Sequence, residues 1–280
     1  MTASAGRDAA GDRPDRKVDD LELLTRGVVD IQGRIMPASN ATFYASASLE
    51  GASIDCVYKP VAGERPLWDF PDGTLAGREV AAYAVSEALG WDVVPPTVLR
   101  GDGPVGVGMV QAWREPDPDQ DPVALVPENA MPEGYLHVLD AYDAHDRLVS
   151  LAHEDGDALR RMAVFDVVIN NADRKGGHVL GMRDGHRHGV DHGVSFHIDN
   201  KLRTVLWGWA GDPLDPEDTL AVQMLVEQLC RTDSELNAVL RELLLGEEVV
   251  ATLARCESLL RGNLMPLPSR SRPSIPWPAF

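Results

Sequence analysis

The chain has 280 residues, room for one large domain or two lobes with separate cores at roughly 150 residues per domain. Its formal net charge of −18 repels nucleic acid and anionic bilayers, which are bound through clustered Lys and Arg, so neither is an expected partner. Cys56, Cys230 and Cys256 are odd in number, widely spaced and without a Cys-x-x-Cys pair, which excludes a disulfide framework or zinc knuckle and points to a reduced, cytoplasmic setting.

The first 17 residues are rich in Ala, Gly, Asp and Arg without a continuous apolar stretch, so they read as a disordered leader and not a signal peptide. A short capped helix follows from Asp19 and Asp20, then strands over 28–35, 42–49 and 53–59, the last ending on Lys59. Pro66, Trp68 and Pro71 make 63–72 a connecting loop. Leu75, Val80, Ala81, Ala84, Val85 and Ala88 recur at helical spacing and predict a helix over 74–89, which Gly90 ends. Beyond Pro95-Pro96, strands over 97–100 and 105–113 form a hairpin turned at Gly101-Asp102-Gly103. Residues 18–113 are thus an antiparallel sheet with one main helix.

An acidic, proline-rich surface excursion occupies 114–134. Residues 135–262 read as mainly helical, with helices over 138–152, 157–170, 217–230, 233–244 and 247–261. Residues 263–280, rich in Pro, Ser and Arg, cannot form regular helix and read as an extended tail that packs loosely. No window approaches the ~18 uninterrupted apolar residues of a membrane-spanning helix, and no stable membrane association is expected.

Three of the four lysines, Lys59, Lys175 and Lys201, fall where phosphoryl transfer would need a cation. That reaction requires positive charge on the phosphates, carboxylates that hold a metal, and a group orienting the attacking hydroxyl. Lys59 at a strand end supplies the first, and Glu79 in the first turns of the next helix is placed to pair with it. Downstream, the apolar stretch Phe165 to Ile169 runs into Asn170-Asn171-Ala172-Asp173-Arg174-Lys175-Gly176-Gly177-His178. The two glycines allow close backbone approach, 178–182 opens a hairpin turned at Arg183-Asp184-Gly185, and its return delivers Asp191-His192-Gly193. A loop carboxylate, a short hairpin and a second carboxylate before glycine form the centre of a kinase-type site.

These blocks, together with Ala38-Ser39-Asn40-Ala41-Thr42, Val57-Tyr58-Lys59-Pro60 and 63–70, resemble the phosphatidylinositol 3- and 4-kinase-like fold, and most closely an actinobacterial family distantly related to it. The resemblance spans about residues 27–210 and implies an α+β, two-lobed protein/lipid-kinase-like fold. It also implies ATP with Mn²⁺ or Mg²⁺ between the lobes and a hydroxyl-bearing acceptor. On it, Asp173 is the catalytic aspartate, Lys175 the lysine facing the moving phosphoryl, and Asp191 the metal aspartate. His178 stands where such kinases place a metal-binding asparagine, and imidazole suits manganese better than magnesium. The loop 37–42 lacks a Gly-x-Gly-x-x-Gly run, which leaves Ser39, Asn40 and backbone amides to hold phosphate. Adenine would lie against the strand containing Met109, Gln111 and Trp113.

Other readings attach to specific residues. His186-Arg187-His188-Gly189-Val190-Asp191-His192 misses the His-x-His-x-Asp-His pattern of metallo-β-lactamase-like hydrolases by one residue. A pseudokinase that binds nucleotide without turnover would explain His178 and the missing glycines, but has no physical need of Lys59, Asp173 and Asp191 together. Transfer of AMP instead of phosphate fits the same residues. The stretch 196–204, with Lys201 and Arg203, faces the acceptor by analogy, and the acidic chain favours a soluble metabolite alcohol or a protein hydroxyl over a lipid.

Overall fold

The computed structural model describes residues 18–36, 40–65, 67, 69–70, 75–143 and 145–280. The N-terminal leader and Pro37, Ala38 and Ser39 lie outside these. Among the described residues the architecture is α+β: a five-stranded antiparallel sheet, a three-stranded antiparallel sheet, a two-stranded hairpin and six helices.

Helix α1 (Asp20–Arg26) starts where the Asp19 side chain accepts the Glu22 N–H at 2.7 Å. Strands β1 (Val28–Arg34), β2 (Phe43–Leu49), β3 (Ala52–Pro60), β4 (Thr97–Gly103) and β5 (Gly106–Ala112) make the large sheet in the order β1-β2-β3-β5-β4. Alternation sets its faces. Ala45, Ala47, Cys56, Tyr58, Val110 and Ala112 bury one face in a small core that includes Leu24 of α1, whereas Lys59 and its cross-strand partner Met109 belong to the other. The β4–β5 turn falls at Pro104 and Val105, later than the expected 101–103, because Asp102 pairs with Arg100 and the Tyr58 hydroxyl donates to the Gly106 carbonyl at 2.7 Å. Gly108 lies against the Tyr58 ring, where any Cβ would be 2.6 Å from a ring carbon.

Helix α2 (Leu75–Leu89) carries Glu79. Its first free N–H groups, those of Leu75 and Ala76, donate to the Glu64 carboxylate at 3.0 and 2.8 Å, so the preceding loop supplies the cap. Helix α3 (Asp157–Ile169) is buried over most of its second half, where it runs through the main core, and ends at Asn170 in the left-handed conformation with φ 54°. Helices α4 (Pro216–Cys230), α5 (Glu235–Leu243) and α6 (Gly246–Gly262) pack on one another, α4 and α5 also on α2 and α6 on α3; Asp215 and Ser234 cap the first two.

Residues 138–152 are not helical. They lie in β7 (Tyr135–Tyr142) and β8 (Leu148–Glu154), and β8 also pairs with β6 (Val123–Pro127) from within the acidic excursion. The helical spacing loses to local turn chemistry: Asp143 accepts the backbone N–H groups of His145 and Arg147 at 2.8 and 3.0 Å, and Asp146 adopts φ 55°. Val123, Ala124 and Val126 are buried, so the excursion is anchored to the core. The C-terminal stretch is extended and largely exposed, yet tethered at its end: Ile275 and Ala279 meet the main core, and the Ala279 carbonyl accepts the Gly176 N–H at 2.8 Å. The Phe280 ring sits on Gly176, leaving no room for a side chain there.

Candidate functional site

Lys59, next to last in strand β3, faces α2, and one turn into that helix Glu79 is nearly fully buried. The Lys59 ammonium lies 2.6 Å from Glu79 Oε1 and 2.8 Å from Asp191 Oδ1, so the expected ion pair is present and a second carboxylate joins it across 132 residues of chain. Asp191 follows the hairpin of β9 (Val179–Gly181) and β10 (Arg187–Gly189), with φ 61°, a left-handed conformation that Asp tolerates better than most residues. Glu79 also accepts the His192 N–H through Oε2 at 2.8 Å, fixing the loop after Asp191 to the helix.

The three charges perturb one another. Burial opposes the Lys59 ammonium, but Asp191 and Glu79 outweigh it and raise its pKa. Lys59 in turn holds the Asp191 carboxyl well below the usual carboxylate range. Burial pushes Glu79 upward, against the pull of Lys59.

Asp173 is one-third exposed, and its own N–H is held by the Asn171 side chain at 3.0 Å. Lys175 approaches its carboxylate to 3.3 Å. Burial raises the Asp173 pKa, with Lys175 opposing. His178 Nδ1 lies 2.9 Å from the Asp173 carbonyl oxygen; since a carbonyl only accepts, Nδ1 carries the proton. Burial depresses the imidazole to about 4, so it is neutral near pH 7 and Nε2 presents a lone pair. That lone pair faces Asp191 Oδ2 at 3.5 Å. Two acceptors in opposition are stabilised by a cation between them, and the nitrogen–carboxylate donor set fits a divalent transition ion or manganese.

A cavity of about 440 Å³ opens over this group, with Asn40, Lys59, Glu64, Arg65, Asp173 and Asp191 among its lining residues. Asn40 is braced by accepting the Arg65 N–H at 2.9 Å, and Ser39 lies outside the described residues. The expected base-contacting residues do not line this cavity. Met109 is fully buried beside Lys59, the Gln111 amide donates to Thr97 Oγ1 at 2.8 Å, and Trp113 packs edge-on against Tyr44 while its indole N–H donates to Glu115. The N–H groups of Ala112 and Trp113 already bond the Pro96 and Asp55 carbonyls at 2.8 and 2.9 Å.

The framework under the site escaped sequence reasoning. Asp166 and Arg174, both fully buried, pair at 2.8 Å. Asp166 also accepts from Asn171 and Thr204, and Arg174 donates to the carbonyls of His178 and Val190 and to His192 Nε2 at 2.7 Å. One ion pair therefore ties α3 to both loops that carry Asp173 and Asp191. Arg78 and Glu248, paired at 2.6 Å and almost fully buried, join α2 to α6. The only sequence signal for the first pair was an aspartate in an otherwise apolar helix end.

The hydrolase-like histidine pattern comes apart in space: Asp191 faces Lys59, His192 accepts from Arg174, and His186 and His188 turn to Asp92. Among the described residues, no helix is long and apolar enough to cross a membrane.

No family model matches the chain. It is similar to Protein Rv2133c of Mycobacterium tuberculosis, 51% identical over 271 residues, covering 94% of this chain and 96% of the relative. At that identity and coverage the chain belongs to the actinobacterial family that includes Rv2133c.

Proposed function

We propose that the protein is an ATP-dependent phosphotransferase with a two-lobed fold like that of the phosphatidylinositol 3- and 4-kinases, acting on a soluble small-molecule or protein hydroxyl. The observation that carries this reading is the convergence of Lys59, Glu79, Asp173 and Asp191 on one cavity, from four separate segments. In this reading Lys59 holds the α- and β-phosphates and Glu79 keeps its ammonium in place. Asp191 and His178 hold a divalent ion, which supplies positive charge to the phosphate oxygens. Asp173 orients the acceptor hydroxyl and accepts its proton as the oxygen attacks the γ-phosphorus, and ADP leaves. Lys175, beside Asp173, offsets charge on the moving phosphoryl.

The base meets the chain beyond Trp113, because the N–H groups of Ala112 and Trp113 are spent inside the sheet. In this reading the acceptor takes a second cavity of about 540 Å³, with Lys201, Arg203 and Arg272 among its lining residues. Arg203 is joined to the Asp173 loop, its carbonyl accepting the Arg174 N–H at 3.0 Å.

ADP production by wild type and Asp173→Asn, with ATP and Mn²⁺ or Mg²⁺, tests the assignment. The variant should keep ATP-dependent thermal stabilisation and lose turnover; unaltered turnover removes the role given to Asp173. Stabilisation of the wild type by ATP without any ADP supports the alternative, a nucleotide-binding pseudokinase.

A further inference from the structure

Asp92, His186 and His188 form a second group of potential ligands, away from the triphosphate cavity. Their candidate ligand atoms all lie within 4.8 Å of one another. His186 and His188 are two apart at the start of β10 and so share a face, their rings edge-on with centroids 4.4 Å apart. Asp92 sits in the connection between α2 and β4 with φ 49°, a conformation that turns its carbonyl and its side chain toward the hairpin. His186 Nε2 and His188 Nδ1 both approach the Asp92 carbonyl oxygen, at 2.8 and 3.1 Å, and His186 Nε2 is 3.8 Å from the Asp92 carboxylate.

We propose that Asp92, His186 and His188 bind a zinc-class transition-metal ion that clamps the α2–β4 connection to the hairpin leading into Asp191. Two imidazoles and one carboxylate are a donor set suited to zinc, cobalt or nickel and poor for magnesium. Ligands around tetrahedral zinc at ~2.0–2.1 Å stand roughly 3.4 Å apart, so small rotations of the exposed Asp92 and half-buried His186 side chains close the site on the buried His188, with solvent in the fourth position. On binding, the two ring nitrogens exchange the Asp92 carbonyl for the ion, and the imidazole protons reside on the opposite nitrogens. The surroundings favour a cation. Glu87 lies near enough to Asp92 for the two carboxylates to repel, and Arg114, the guanidinium that acts on His188, is itself paired with Asp20 at 2.9 Å. The clamp would add to an existing backbone link, the Gly189 N–H donating to the Val93 carbonyl at 2.7 Å.

Equilibrium titration of the full chain with Zn²⁺, and with Co²⁺ as a spectroscopic probe of tetrahedral coordination, tests the site without reference to nucleotide. Wild type should bind Zn²⁺ with a rise in melting temperature, and His186→Ala and Asp92→Asn should each weaken binding by ~10-fold or more, since even outer partners of a metal site cost 10–100-fold. Asn tolerates the left-handed backbone at position 92, so Asp92→Asn keeps the test valid if a histidine variant fails to fold. Asp191→Asn serves as the contrast and should retain this binding, which separates it from the Asp191–His178 pair. No Zn²⁺ binding by wild type, or binding undiminished in both Asp92→Asn and His186→Ala, overturns the proposal.

Discussion

Replacing Asp166 by Asn removes the only carboxylate that Arg174 pairs with among the described residues, while keeping nearly the same shape. Both side chains have zero exposure, and the carboxylate accepts from Arg174 Nε at 3.0 Å and from a terminal guanidinium nitrogen at 2.8 Å. Breaking a buried pair by removing one partner leaves an uncompensated charge and costs about 3–5 kcal/mol. Near 2–4 °C per kcal/mol for chains approaching this size, the melting temperature should fall by on the order of 10 °C. Denaturant unfolding of Asp166→Asn, Asp166→Leu, Arg174→Met and the double variant Asp166→Leu/Arg174→Met supplies the assay, the double being compared with its own two singles. The double variant should be less destabilised than the sum of the singles, because it leaves no lone buried charge. A cost below about 1 kcal/mol for Asp166→Asn would refute the idea that this pair anchors the two site loops.

Three further outcomes follow from the site and its surroundings. His153 is neutral in the fold, its Nδ1 donating to the Glu154 carbonyl at 2.8 Å and its Nε2 accepting the Gly208 N–H at 2.9 Å, and burial lowers its pKa. The unfolded chain takes up that proton below about pH 6.5, so stability should fall as pH drops through and below that value, by up to ~1.4 kcal/mol per pH unit from this group. His153→Gln keeps one donor and one acceptor and should flatten the dependence; identical pH profiles for the two proteins would exclude the assignment. At the cavity, turnover with Mn²⁺ should exceed that with Mg²⁺, and His178→Asn should shift the preference toward Mg²⁺. A wild-type Mg²⁺ rate equal to or above the Mn²⁺ rate would remove His178 from the metal's shell.

Alternating strands and amphipathic helices were legible because each rests on a local pattern that burial enforces, and β1 to β3, α2 and α3 fall close to their expected bounds. The Lys59–Glu79 pair was legible for a related reason: a strand end and the first turns of the next helix meet with little freedom. The strands β7 and β8 were hidden because helical spacing in 138–152 competes with an Asp143-centred turn and with pairing to β6, which lies in a segment whose prolines and acids suggest only surface. Asp166 and Arg174 gave little signal, since a charge becomes structural only through its partner, eight residues away around a helix end. Asp92 could not be joined to His186 and His188 from the sequence: it is up to 96 residues from them, and only the docking of the α2–β4 connection on the hairpin brings them together. Met109, Gln111 and Trp113, expected against adenine, are not among the residues lining the cavity, because a strand inside the sheet turns its groups to its neighbours.

In the proposed function Lys59, Glu79 and Asp191 enclose a metal–triphosphate site. Calorimetric titration of wild type and Asp191→Asn with a non-hydrolysable ATP analogue, with and without Mn²⁺, decides whether they do. Wild type should show Mn²⁺-dependent binding that Asp191→Asn abolishes. Binding of equal strength in the variant, or no binding by wild type with Mn²⁺ present, would contradict it.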